Sequence, residues 1–112
     1  MRFSFKSLVI AAFVAASSFS TPSHAEDVFK SSDFLKWERN SQEFYIRTSV
    51  GMAGLISSKN NKEHADCLEG WYFADEKASN DFIIETMQEY SDFHPRGVIT
   101  AVLEKQCGSF KF

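Results

Sequence analysis

Between Pro22 and Pro95 the chain contains no proline. Proline ends helices forcefully, because it removes a backbone donor and its ring collides with the preceding turn. So long a run without it leaves only glycine and asparagine as weak interruptions, and the chain is free to be helical over most of its length.

Apolar residues recur at helical spacing along this run. Ser31, Ser32 and Asp33 suit the start of a first short helix bearing Phe34, Leu35 and Trp37. Asn40 or Ser41 suits the cap of a second, with Glu43 in its first turn, where a negative charge meets the positive end of the helix dipole. Phe44, Tyr45, Val50, Met52, Ala53, Leu55 and Ile56 give that segment a broad apolar side, which predicts a mostly buried central helix. The β-branched Ile46, Thr48 and Val50 also permit a strand. Gly51 and Gly54 each cost about 1 kcal/mol against alanine inside a helix, and close approach of a neighbouring helix is the simplest compensation.

Residues 57–61 form a polar connector, after which Ala65, Leu68 and Tyr72 mark a third helix over residues 62–73. Residues 74–79 suggest a second connector, with Ser79 as the cap of a helix carrying Phe82, Ile83, Met87 and Tyr90. His94 and Pro95 mark a break and a new first turn. Val98, Ile99, Val102 and Leu103 then line one face of a last helix, which Gly108 stops. The predicted class is all-α, a compact bundle of four to five short helices.

Residues 1–25 place Arg2 and Lys6 before an apolar run and end in Ser23-His24-Ala25, the pattern of a cleaved secretory signal peptide. The expectation is a single helical domain over residues 26–112, exported to the periplasm. Losing Arg2 and Lys6 leaves ten basic side chains against fifteen acidic, a formal charge of −5. That balance argues against nucleic acid, which needs clustered Lys and Arg. Cys67 and Cys107 are the only cysteines, and an even count in a short exported domain predicts a disulfide. Closing that loop would stabilise the fold by about 4 kcal/mol on the chain-entropy model and would clamp the third helical segment to the last.

Little in the chain suggests catalysis. His64 lies three residues before Cys67, within reach on a helix, but Glu63, Asp66 and Glu69 would raise a thiol pKa rather than lower it. Zinc needs three or four ligands at workable spacing, and neither C-x-x-C nor H-x-x-x-H occurs. No phosphate loop or nucleophile elbow is present either. The expectation is a non-enzyme with no cofactor and no metal. Glu63, Asp66 and Glu69 repeat every three residues and, with Asp75 and Glu76, form an acidic ridge beside Trp71. An ordinary solvated face fits this pattern, and so does a docking patch for a basic partner with Trp71 as an anchor.

Phe34-Leu35-x-Trp37, Phe44-Tyr45-Ile46, Val50-Gly51-Met52, Cys67, Trp71-Tyr72, and His94-Pro95-x-x-Val98-Ile99-x-Ala101-Val102-Leu103 before Cys107 form a pattern along most of the mature chain. It resembles the Rap/Tai immunity proteins, small exported helical proteins that protect bacteria from the peptidoglycan amidase toxins of type VI secretion. The resemblance implies a periplasmic, dimeric protein that binds an amidase and blocks its cleft without catalysis of its own. Residues 57–62 or 74–78, beside the acidic ridge, are the expected contact segments. The alternative expectation is a small periplasmic acid-stress chaperone of the helical disulfide type.

Overall fold

The computed structural model describes residues 28–110; the expected signal peptide, residues 1–25, lies outside them. Every regular element among the described residues is an α-helix. In chain order these are α1 (Ser31–Phe34), α2 (Arg39–Asn60), α3 (Lys62–Ala74), α4 (Glu76–Glu89) and α5 (Pro95–Cys107). The strand permitted over Ile46–Val50 does not form, and Thr48 instead donates its hydroxyl to the Phe44 carbonyl one turn back, at 2.9 Å.

The connectors are much shorter than expected. Residues 57–60 belong to α2, and the break falls on Asn61 alone, whose side chain accepts the His64 amide at 3.1 Å. The second connector shrinks to Asp75, whose Oδ1 accepts the Ala78 amide at 3.1 Å. Each of these residues ends one helix and caps the next. Ser79, expected as the cap, is buried within α4, with its hydroxyl aimed at the Trp71 carbonyl. Glu38 rather than Asn40 or Ser41 precedes α2, and Lys30 rather than a serine precedes α1. His94 caps α5 by accepting the Arg96 amide on Nδ1, and Gly108 ends it at a φ of 91°, a conformation that side chains disfavour.

Phe34, Ile46, Val50, Leu68, Tyr72, Ile83, Met87, Val98, Ile99, Val102 and Leu103 build one core. Ser31 ties the N-terminal segment to the α4–α5 turn, its amide and hydroxyl both donating to the Phe93 carbonyl at 2.8 Å. Cys67 and Cys107 form the expected disulfide, clamping α3 to α5. Gly54 allows the close approach expected of it, since a Cβ there would lie 2.8 Å from Glu69 Oε2 on α3. Gly51 does not, because nothing stands within 4 Å of a Cβ at that position.

Candidate interaction surface

The acidic ridge is largely occupied within the chain. Glu76 accepts the Arg47 Nε at 2.7 Å, linking α4 to α2, and holds that guanidinium above its ordinary pKa. Asp66 pairs with Lys62 at 3.0 Å, one turn earlier on α3. Asp75 caps α4, and the Glu69 side chain lies across Gly54. Trp71 is half-buried against the core, while Glu63 is exposed. The six predicted residues do lie along α3 and the start of α4, but Asp66, Asp75 and Glu76 already have partners within the chain and Trp71 is half-buried.

His64 does not approach Cys67 as a base. Its Nε2 donates to the Gly108 carbonyl at 3.0 Å, since a carbonyl can only accept. In the neutral ring Nδ1 then accepts the Ser57 hydroxyl at 3.1 Å. Phe110 packs edge-on against the imidazole. This buried histidine fastens the residues after α5 to α2 and α3. Cys67 is in the disulfide, so it offers no thiol. No cluster of metal-binding side chains occurs among the described residues.

The larger surprise is α2. Its buried positions are Gln42, Ile46, Val50, Gly54 and Ser57, of which only Ile46 and Val50 are large and apolar. Phe44, Met52, Leu55 and Ile56, expected inside, are 64%, 57%, 58% and 43% exposed. At about 100° per residue, Phe44, Met52 and Leu55 stand about 140–160° from the direction shared by Ile46 and Val50, with Phe44 and Met52 on opposite flanks, while Gly51 and Ile56 lie nearer the two sides. A helix apolar on two sides is built to be covered on both; the described residues cover one.

Met52 and Ile56 line a groove of about 430 Å³ between α2 and α5, together with Thr48, Ser49, Ala53, Ile99, Thr100 and Leu103. Arg96 is the one charged residue lining it, its guanidinium 5.7 Å from the centre of the Tyr45 ring. A second groove, about 470 Å³, separates α4 from α5, with Phe82, Tyr90 and Phe93 at its walls. Trp37, Phe82 and Tyr90, which spacing puts with the apolar residues of their helices, are 40%, 41% and 50% exposed. Trp37 covers the core from outside, stacking on Phe29 at 5.3 Å and meeting Phe34 at 5.1 Å.

No family model, curated protein or solved structure matches the chain. The site must therefore be judged by its own chemistry: solvated apolar anchors on a rigid helix, which suit protein contact better than a reaction. The sequence contained a signal for this surface. Gln42, Gly54 and Ser57 continue the phase of Ile46 and Val50, and the bulkiest apolar residues of α2 lie out of that phase.

Proposed function

We propose that this chain is an exported inhibitory binding protein of the immunity type, which holds a peptidoglycan amidase through the outer face of α2. One observation carries the binding role: α2 leaves Phe44, Met52, Leu55 and Ile56 in solvent although its core face is already filled. Apolar and aromatic anchors of this kind supply most of the energy at protein interfaces. The amidase as partner class comes from the resemblance to Rap/Tai proteins. Export comes from the leader pattern, and the disulfide agrees with an oxidising compartment.

The test is inhibition of peptidoglycan amidases from the same compartment, assayed on purified peptidoglycan with the protein in excess. Loss of amidase activity, restored when Met52→Asp and Ile56→Asp replace the wild type, is the expected result. Full amidase activity at saturating protein would sink the proposal.

A second reading has its own support. The outer contacts of α2 with α4 include the Arg39–Asp81 and Arg47–Glu76 ion pairs, which acid would break. An acid-stress chaperone would loosen near pH 2–3 as its carboxylates protonate and would then hold unfolded clients. Aggregation of a denatured client that proceeds unchanged at that pH in its presence removes this reading.

A further inference from the structure

Gly97 lies in the first turn of α5, has ordinary helical φ, and would meet nothing within 4 Å if it carried a Cβ. Neither the backbone nor a neighbour within the chain requires glycine there, and helix propensity disfavours it. Gly97 and Ala101, one turn apart, line the groove between α4 and α5 from the α5 side. Phe82, Tyr90 and Phe93 line the same groove from α4 and the turn after it, and the Tyr90 and Phe93 rings, 5.9 Å apart, are each at least half exposed. One wall is therefore aromatic and tall, and the other is low enough for a further helix to come close to α5.

The two charged residues lining this groove stand at its opposite ends. Glu89 is the last residue of α4, beside the turn, and Lys105 lies in the last turn of α5, away from it. Phe82 lines a neighbouring hollow with Gln106, so the end of α5 lies beside the earlier part of α4 and the two helices run antiparallel. Neither Glu89 nor Lys105 makes an ion pair among the described residues. From Gly97 to Lys105 the groove follows α5 for about 12 Å, a little over two turns of helix. A fatty acid can answer Lys105 with its carboxylate but has nothing for Glu89. A peptide helix can answer both.

We propose that the groove between α4 and α5 is a second docking surface, which receives an amphipathic helix of a protein partner carrying a basic and an acidic residue two turns apart. The basic side chain meets Glu89, the acidic one meets Lys105, and apolar anchors at i+3 or i+4 between them fill the space beside the aromatic wall, as in other helix-in-groove contacts. This goes beyond the inhibitory-binding reading. The α2–α5 groove uses Arg96, Ile99, Thr100 and Leu103 on the other side of α5.

The test titrates the exported, isotope-labelled protein with three synthetic helices of about 15 residues. All share one leucine–alanine stripe. Two flanking positions, two turns apart, hold lysine and glutamate in the first helix, two glutamates in the second and two lysines in the third. The first helix should shift the amide resonances of Thr86, Tyr90, Gly97 and Ala101. The second and third should bind about fivefold more weakly, the scale of an exposed ion pair, and Glu89→Lys should move the preference to the double-glutamate helix. Gly97→Leu should abolish binding without lowering the thermal midpoint, which separates a filled groove from a damaged fold, and Ala101→Leu should do the same.

No binding by any of the three, equal binding of all three, or shifts confined to the α2–α5 groove overturns the proposal. So does a fatty acid such as laurate that shifts these amides more strongly than the first helix, since the groove would then belong to an acyl chain. A wild-type dimer in sedimentation that Gly97→Leu dissociates overturns it too, because the groove would then hold a second copy. The amidase assay is scored separately: Met52→Asp with Ile56→Asp should leave binding of the first helix unchanged, and Gly97→Leu should leave amidase inhibition unchanged.

Discussion

The hydroxyl of Tyr72 donates a 2.6 Å hydrogen bond to Oδ1 of Asn80, inside the core where α3 faces α4. Both side chains are buried, and the bond joins two helices connected through only Asp75. Removing one partner leaves the other's polar group without its bond, which costs about 1–3 kcal/mol. Tyr72→Phe and Asn80→Leu should each lower stability by that amount in urea unfolding. The double variant should cost less than the sum of the two.

Burial, reinforced by the nearby Glu76 carboxylate, pushes the Tyr72 phenol up to about 12. The unfolded chain releases this proton near pH 10, whereas the folded protein retains it to about 12. Above pH 10 the unfolded state therefore binds fewer protons, and stability falls as the pH rises through this window. The loss is at most about 2–3 kcal/mol. Unfolding midpoints measured across the window should fall for the wild type and lose this component of the slope in Tyr72→Phe.

Asp81 accepts hydrogen bonds from Lys77 and from Arg39, which hold its carboxyl below the ordinary carboxylate pKa. A depressed folded pKa contributes stability above the unfolded value, and that contribution disappears as pH falls through the folded one. Asp81→Asn should therefore flatten the acid limb of the stability profile, measured by urea unfolding across pH.

Gly51 and Gly54 should respond differently to alanine. Nothing opposes a Cβ at Gly51, so Gly51→Ala should stabilise the protein by up to about 1 kcal/mol. At Gly54 the new Cβ meets the Glu69 carboxylate, which must swing away first, so Gly54→Ala should gain less. Comparing the two thermal midpoints checks this.

The disulfide closes a separation of 40 residues between α3 and α5. Replacing both cysteines by alanine should cost about 2–4 kcal/mol in denaturant unfolding. The amides of residues 108–110 should exchange faster with solvent, because the His64 clamp on Gly108 lies beside the bridge.

The helical class, the bridge and the start of α5 were legible because each has a strong local signal. No proline interrupts residues 26–94, two cysteines have only each other, and His94-Pro95 can both break and begin a helix. The other helix starts were harder, because several polar residues near each start can serve as a cap. Asp75 and Ser79 are both good caps, but residues 76–78 are content in a helix, so the earlier one is used and the Ser79 hydroxyl turns inward. Serines at 57 and 58 suggested a loop, yet Ser57 bonds His64 and Ser58 bonds the Leu55 carbonyl within or against the helix. The outward face of α2 was misjudged for a different reason. Periodicity tells which residues share a side of a helix, but not whether the chain has enough other elements to cover that side.

Asn61 and Asp75 each serve two helices at once, and this restricts how the protein can change over generations. An extra residue inside α3, beyond the joints, would turn the side chains that follow it in that helix by about 100° about its axis. Leu68 and Tyr72 would leave the core, or Cys67 would swing away from Cys107. A lineage carrying this fold can therefore alter what it recognises by exchanging side chains along the outside of α2. It has far less freedom to do so by growing or shortening the helices themselves, whose register sets the core.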